Sequence, residues 1–210
     1  MSDNKMKKIF SSIYENCLWG TNDIAAYRGS SGSGSSVEYN KEYIAYIQEF
    51  LHKYNISSVS DIGCGDWRVG EAIFAKTNIS YFGYDIYLDL VEYLKITHKY
   101  NSHLKFINID VFEQRDQIEP TDLLLIKDVL QHWDDNSVSV FIEWIKTSKK
   151  FKYVLITNCN SNHFDHIGGE IGGWRGLDSN HSLFRDSGFV KVFHYQTKEI
   201  MLYEYNSTKK

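Results

Sequence analysis

Short apolar segments alternate with amphipathic segments along most of this sequence, and no other feature constrains the fold as strongly. The apolar segments predict strands at residues 56–62, 80–86, 104–109, 122–126 and 153–157. The amphipathic segments predict helices at residues 37–54, 68–76, 88–99 and 136–149. Alternation of this kind is typical of βαβ units, which build a parallel sheet with helices on both faces.

Two further segments near the C-terminus alternate apolar and polar residues, at 189–195 and 200–205. They flank the polar residues 196–199, as the strands of a hairpin flank their turn. Together with the five parallel strands, they predict an α/β fold. It is a Rossmann-like, doubly wound, mostly parallel seven-stranded sheet with a C-terminal antiparallel hairpin.

Residues 28–36 are a low-complexity segment rich in glycine and serine. It forms the end of an N-terminal segment (1–36), and a main domain (37–210) follows it. Two hypotheses fit it: a flexible linker, which the composition favours, or a mobile loop whose backbone N–H groups close over an anionic group. The N-terminal segment contains Tyr14, Trp19, Tyr27 and Arg28 and is too aromatic for a disordered tail. These side chains either pack on the main domain or line a substrate pocket.

The charge and cysteine content exclude several classes of protein. There are 23 Lys and Arg against 27 Asp and Glu residues, and the net charge of −4 argues against wrapping a long nucleic acid. Three distant cysteines without a C-x-x-C motif predict neither a disulfide framework nor a cysteine zinc site. There is no secretory signal and no apolar run of about 18–20 residues, so we expect a soluble, cytoplasmic protein.

The residues that follow the strands are candidates for a ligand site, because ligands of such sheets bind beyond the carboxyl ends of the strands. The first strand runs into Gly63-Cys64-Gly65, where two glycines allow a sharp turn and close approach of a ligand to the backbone. The second strand ends at Asp85, 24 residues after Asp61. An acidic residue at this spacing typically accepts the hydroxyls of an adenosine ribose, so the pattern predicts a nucleoside cofactor.

The same turn argues against a dinucleotide. The dinucleotide fingerprint G-x-G-x-x-G has a third glycine, and this chain has Arg68 at that position. Asp66 would repel a pyrophosphate at its nearest approach, whereas Asp61 can receive a cationic amine. A cofactor with a ribose, a cation and an amino-acid tail fits better, and S-adenosylmethionine (SAM) has those parts.

Several motifs together resemble class I SAM-dependent methyltransferases over residues 57–205. Asp-Ile-Gly-Cys-Gly at 61–65 resembles their glycine loop, and Gly-Tyr-Asp-Ile at 83–86 resembles their acidic second-strand motif. Asn-Ile-Asp-Val at 108–111 resembles the third-strand segment whose aspartate meets the adenine amino group, and residues 127–133 resemble the fourth-strand motif. The resemblance implies a methyltransferase that contacts SAM through Asp61, Gly63, Cys64, Gly65, Trp67, Asp85, Ile86, Asp110, Val111 and Lys127.

Three motifs narrow the resemblance to small bacterial and giant-virus methyltransferases often found among surface-glycan genes. They are DIGCGDW at 61–67, KDVLQHW at 127–133 and GGWRGLD at 172–178. In those proteins a G-x-G-S segment precedes the first helix, as Gly-Ser-Gly-Ser does at 32–35, and this favours a lid over a linker. The resemblance implies O-methylation of a sugar, nucleotide sugar or glycan in the cytoplasm, or in the host cytoplasm for a viral protein.

A hydroxyl acceptor benefits from a general base, and His132 lies just beyond the predicted fourth strand. The ordinary pKa of histidine lets this side chain take a proton near neutral pH. Asp128 is the alternative base, or else the group that orients His132.

We expect the acceptor to contact residues beyond the fourth and fifth strands, namely Trp133, Asn158, His163, Trp174 and Arg175. A tryptophan suits the face of a sugar, and an arginine suits an anionic group such as a nucleotide diphosphate. His163, Asp165 and His166 are also types that ligate a divalent metal. A polar acceptor-binding loop fits this segment better, so no metal is predicted.

Two other functions stay open. Enzymes that methylate an RNA cap ribose use a Lys-Asp-Lys-Glu set, of which only Lys127 and Asp128 are evident, and the acidic net charge also disfavours RNA. A non-catalytic partner protein that binds SAM structurally would keep the same fold. The intact cofactor motifs argue against it.

Overall fold

The computed structural model describes residues 4–160 and 169–205, which contain five α-helices and seven strands. The helices are α1 (Lys5–Glu15), α2 (Lys41–Lys53), α3 (Arg68–Phe74), α4 (Leu88–Thr97) and α5 (Asp135–Ser148). The strands are β1 (Ser58–Ile62), β2 (Ser80–Asp85), β3 (Leu104–Asn108), β4 (Thr121–Lys127), β5 (Phe151–Cys159), β6 (Val190–Tyr195) and β7 (Lys198–Glu204). Every strand and helix predicted from residue 37 onward is present, with its ends within four residues of the prediction.

The seven strands form one mixed sheet in the order β3-β2-β1-β4-β5-β7-β6. The pairs β1–β2, β2–β3 and β4–β5 are parallel, and the pairs β5–β7 and β6–β7 are antiparallel. This confirms the predicted fold class, including the C-terminal antiparallel hairpin. The chain divides into two compact units, Met1–Ile118 and Glu119–Lys210.

The first unit has an aromatic core beside β2 and β3. The ring of Trp67 meets Phe106 edge-on at 5.0 Å between centroids and lies 5.6 Å from the ring of Tyr81. Helix α1 belongs to this unit and was not predicted. Its buried side chains, Met6, Phe10, Ile13 and Tyr14, recur at helical spacing, so the signal for the helix was present in the sequence.

The second unit is built on β4 and β5. Residues 123–126 of β4 are all buried, as expected for a strand covered on both faces. Helix α5 buries Val138, Phe141, Ile142 and Ile145 on one side, and Trp133 meets the ring of Phe141 edge-on at 5.1 Å. The second unit therefore has a core of its own.

The hairpin differs from the prediction in one respect. Only Gln196 and Thr197 connect β6 to β7, so the expectation of a four-residue turn at 196–199 is wrong. Lys198 and Glu199 are the first residues of β7, and both are buried. Their polarity is typical of a turn, but each has ionic partners inside the protein, which allows charged side chains to be buried in a strand.

Asp134 is expected to stabilise the start of α5. Its side-chain Oδ1 accepts a hydrogen bond from the backbone N–H of Ser137 at 2.8 Å, as an N-cap residue does. We expect Asp134→Ala to lower the free energy of unfolding by about 1 kcal/mol, measured by urea denaturation. Asn4 is the matched control, because it precedes α1 without a capping side-chain bond. Asn4→Ala should change stability by less than about 0.5 kcal/mol, and an equal loss in both variants would contradict the capping role.

Candidate active site

The glycine turn follows β1 directly and folds back against β2. The backbone N–H groups of Gly63 and Cys64 both donate to the carbonyl oxygen of Tyr84, at 2.8 and 3.0 Å. Gly63 and Gly65 have φ angles of 66° and 56°, in the left-handed region that side chains disfavour. The local chain path therefore favours glycine at both positions.

Asp85, the last residue of β2, joins this turn through its carboxylate. Oδ2 accepts from the backbone N–H of Gly65 at 3.0 Å, and Oδ1 accepts from that of Tyr87 at 3.0 Å. Burial raises the pKa of Asp85, and the backbone N–H groups of Tyr87, Gly65 and Ile86 oppose the shift. A carboxylate has about four acceptor positions, so three backbone donors leave room for a further donor such as a ribose hydroxyl.

The end of β3 is tied to the same place. The side-chain amide of Asn108 and the backbone N–H of Ile109 both donate to the carbonyl oxygen of Asp85, at 3.0 and 3.2 Å. Asp110 follows, and its Oδ1 accepts from the backbone N–H of Phe112 at 3.0 Å. The acidic residues predicted from β2 and β3 thus lie at one edge of the first unit.

Apolar residues come next to both carboxylates. Ile86 follows Asp85 and is half-buried, and Val111 follows Asp110 and is 9% exposed. The first unit therefore offers carboxylate acceptors flanked by apolar side chains, as a nucleoside with a polar sugar and a flat base would require.

Three other residues in the predicted cofactor set already have contacts within the protein. Asp61 accepts a hydrogen bond from the hydroxyl of Tyr81 at 2.6 Å. The ring of Trp67 is 2% exposed and lies in the aromatic core. Burial, with Asp85 and other carboxylates, raises the pKa of Cys64 well above its usual value, so this thiol stays protonated. Direct contact of these three residues with a cofactor stays a prediction.

The N-terminal segment contacts the glycine turn, and packing of its aromatic side chains on the main domain was one of the two alternatives expected for them. Ser31 Oγ accepts a hydrogen bond from the backbone N–H of Asp66 at 2.8 Å, although 35 residues separate the two. The hydroxyl of Tyr14 lies 2.9 Å from Ser31 Oγ, and the ring of Tyr14 stacks on that of Tyr87 at 4.6 Å. Residues 28–36 therefore include a segment held against the glycine turn.

In the second unit, Asp128 lies between two lysines just after β4. Its two carboxylate oxygens contact Nζ of Lys127 and Nζ of Lys198, each at 2.6 Å. Burial alone would raise the pKa of Asp128, but the two ammonium groups outweigh it and lower that pKa. A carboxylate with a lowered pKa is a weak proton acceptor, which disfavours Asp128 as the base, and its role in orienting His132 stays a prediction.

Lys198 was missed because the sequence placed it in a turn. It is 4% exposed, and its Nζ also lies 3.3 Å from Sγ of Cys159. Burial lowers the pKa of Lys198, but the charge of Asp128 outweighs it and the net shift is upward. The pairing of Cys159 with Lys198 in the β5–β7 register brings these side chains together.

His132 has a defined proton position. Its Nδ1 lies 2.5 Å from the carbonyl oxygen of Gly173, and a carbonyl only accepts, so Nδ1 carries the proton. In the neutral ring the lone pair is then on Nε2. Burial lowers the pKa of His132, and the bond to Gly173 only partly opposes this shift. The neutral form, which can act as a base, is therefore favoured near pH 7.

Two of the residues predicted to bind the methyl acceptor have contacts within the protein. Arg175 is 2% exposed, and its guanidinium pairs with the carboxylate of Asp135 and donates to the carbonyl oxygen of Trp133. Trp133 is 3% exposed and packs in the core. These contacts support roles in holding the loop, and contact with an acceptor stays a prediction for both.

The remaining predicted acceptor residues differ in exposure. Trp174 is 52% exposed, so its ring is available at the surface. Asn158 is fully buried, and neither polar atom of its amide has a hydrogen-bond partner within residues 4–160 and 169–205. His163, with Asp165 and His166, lies outside the described residues.

No protein-family model and no curated protein matches the sequence. Solved structures do match. Magnesium protoporphyrin IX methyltransferase from Synechocystis PCC 6803, with bound S-adenosylhomocysteine (SAH), is similar over 96% of this chain and 98% of its own, with 14% identity and a TM-score of 0.64. The chain has the methyltransferase fold. No helix in the described part of the chain is both long and apolar enough to cross a membrane.

Two further structures have the same fold. An O-methyltransferase family protein from Burkholderia thailandensis matches 82% of this chain with 12% identity and a TM-score of 0.63. Human N-acetylserotonin methyltransferase in complex with SAM matches 83% with 16% identity and a TM-score of 0.56. The chain spans 58% of the length of each of these two proteins.

Proposed function

We propose that this protein is a SAM-dependent O-methyltransferase that acts on a hydroxyl of a sugar, nucleotide sugar or glycan. One observation carries the cofactor assignment: the carboxylate of Asp85 is held beside the glycine turn by the N–H of Gly65 and keeps acceptor capacity for a ribose. The methyltransferase fold, and the SAM or SAH bound in structures of that fold, support the same cofactor.

The residues of the first unit fit SAM in chemical type. Asp85 is assigned to the ribose hydroxyls, and Asp110 to the adenine amino group, since carboxylates accept hydrogen bonds from both. Ile86 and Val111 offer apolar surface for the base. Asp61 is assigned to the cationic amine, with one of its oxygens held by Tyr81.

Bound SAM supplies a methyl group on a cationic sulfur, which a suitably aligned acceptor oxygen can take. That oxygen must lose a proton, and we assign the proton to Nε2 of His132. The Gly173 carbonyl holds the ring in the tautomer that leaves Nε2 unprotonated. The lowered pKa of His132 keeps the ring neutral at physiological pH.

A carbohydrate acceptor is supported by the surface of the second unit. Trp174 presents an exposed ring, and flat aromatic rings pack well on the apolar face of a sugar. Asn158 holds a buried donor and acceptor that lack partners among the described residues, which is typical of a group that pairs with a ligand. The motif resemblance to methyltransferases of surface-glycan genes points to the same class of acceptor.

Methylation of a ribose hydroxyl in RNA is the second candidate, and Lys198 is the observation that favours it. Lys127, Asp128 and Lys198 form a connected Lys-Asp-Lys cluster, as cap ribose enzymes have. Glu199 does not complete the set, because neighbouring strand residues point to opposite faces and its carboxylate pairs with Lys191. The net charge of −4 also disfavours RNA.

Calorimetric titration with SAM, followed by methyl transfer assays on nucleotide sugars and on capped RNA, tests the proposal. We expect SAM binding and turnover on a nucleotide sugar. Turnover on RNA alone, with an affinity that falls steeply with salt, would replace the sugar acceptor with the second candidate. SAM binding without turnover on either would indicate a non-catalytic partner protein, and no SAM binding would refute the cofactor.

A further inference from the structure

The hydroxyls of Tyr14 and Ser31 together carry one more proton than the described residues accept in hydrogen bonds. Each hydroxyl carries one proton, and one of the two protons makes the bond between Tyr14 and Ser31. Ser31 Oγ also accepts from the backbone N–H of Asp66. Among residues 4–160 and 169–205, no acceptor takes the second proton. Whichever hydroxyl donates to the other, one O–H is left without an acceptor among these described residues.

This spare donor lies at the glycine turn. A Cβ built on Gly65 would lie 2.5 Å from Ser31 Oγ, so the absence of a side chain at 65 is what lets Ser31 approach the turn. Arg68 also contacts this region, donating from Nε to Asp66 at 3.0 Å and from Nη2 to Ser35 at 3.3 Å. The segment at 28–36 is thus fixed to the turn at more than one point.

Tyr14 also has a defined protonation state. It is 4% exposed, and burial together with the charge of Asp85 raises the pKa of Tyr14 well above its usual value. The hydroxyl therefore keeps its proton at any pH near neutral. Its neighbour Asp85 is the residue assigned to the ribose, while Ser31 lies over Gly65, towards the end of β1.

We propose that Tyr14 and Ser31 are cofactor-binding residues whose spare hydroxyl proton is donated to the carboxylate at the amino-acid end of SAM. The inference rests on the proposed function, since it names the residues that donate to a carboxylate of the proposed cofactor. It gives residues 28–36 the role of one wall of the cofactor pocket. It also explains why a glycine- and serine-rich segment is held so close to the turn.

The test compares two ligands in the full-length protein by calorimetry. SAH has the amino-acid end, whereas 5′-methylthioadenosine has the same adenosine without it. We expect the single variant that removes the spare proton, Tyr14→Phe or Ser31→Ala, and the double variant to raise the Kd for SAH about fivefold, the usual effect of one lost hydrogen bond. Both variants should bind 5′-methylthioadenosine as wild type does. Tyr100→Phe and Ser12→Ala are matched controls, the first on a side chain that is 87% exposed.

The outcomes distinguish the proposed role of Tyr14 and Ser31 from the proposed use of SAM as the cofactor. An unchanged Kd for SAH in both variants would overturn the inference while leaving SAM as the cofactor. An equal loss of affinity for both ligands would also overturn the inference, because Tyr14 and Ser31 would then affect only the binding of the adenosine part. Wild-type protein that binds neither ligand would overturn the proposed function itself. Thermal unfolding of each variant shows whether the fold is intact, and Asp85→Ala, which should weaken both ligands, serves as the positive reference.

Discussion

Replacing His132 with alanine is expected to lower the methyl transfer rate about 10²–10⁴-fold, the usual contribution of a general base. The imidazole of His132 has a fixed tautomer: Nδ1–H is held by the Gly173 carbonyl and Nε2 keeps its lone pair. SAM binding should be unchanged, since the residues assigned to SAM binding belong to the first unit, apart from Lys127. Single-turnover kinetics with the acceptor that proves active, together with a SAM titration, measures the two quantities.

His132→Asn separates the base from the structural bond. The side-chain amide of asparagine can take the place of Nδ1–H and donate to the Gly173 carbonyl, but it cannot accept a proton. It should therefore be nearly as slow as the alanine variant. His194→Ala is the control, on an exposed histidine of β6. Turnover within a few-fold of wild type in both His132 variants would show that His132 only shapes the loop.

The pH dependence provides an independent check on the same residue. Burial lowers the pKa of His132 from the ordinary value of 6.5, and the neutral ring is the active form. The rate should therefore rise with pH through a single ionisation whose midpoint lies below about 6.5, and it should be flat above neutrality. A rate that falls as the pH rises, or a midpoint well above neutrality, would exclude neutral His132 as the base.

Asp85→Ala should weaken SAM binding about 5–150-fold, because it removes an acceptor worth about 1–3 kcal/mol to buried donors. The structure adds a second consequence. The backbone N–H groups of Gly65 and Tyr87 lose their partner, so the turn should also lose stability. Calorimetry with SAM and urea denaturation measure these two losses separately.

Two further variants, Asp85→Asn and Asp89→Ala, are controls for the loss of SAM affinity expected in Asp85→Ala. Asparagine keeps the shape and one of the two acceptor oxygens, so it should lose less stability than alanine while the ribose contact is weakened. Asp89 is an exposed carboxylate in the first turn of α4, and its removal should leave SAM affinity unchanged. Wild-type affinity in the Asp85→Asn and Asp85→Ala variants would place the cofactor away from β2.

Much of the fold was predictable because its signals are local. The continuous apolar run of β4 and the spacing of apolar residues in α2 and α5 each follow from the burial of one element. Helix α1 has the same helical spacing of apolar residues, although it was not predicted. The length of the turn at 196–199 was predicted wrongly because charged residues such as Lys198 and Glu199 are typical of loops. Only the structure shows the ionic partners that allow both to be buried in β7.

The sequence by itself determined the alternation of strands and helices, the glycine turn after β1 and the acidic residue at the end of β2. These depend on backbone conformation and burial, which short patterns record directly. Only the tertiary structure decided that Ser31 bonds to Asp66, that Lys198 reaches Asp128 and that Arg175 is buried against Asp135. Those pairs are 35, 70 and 40 residues apart. Strand register and chain path bring them together, and no local pattern encodes which distant partner a polar side chain will meet.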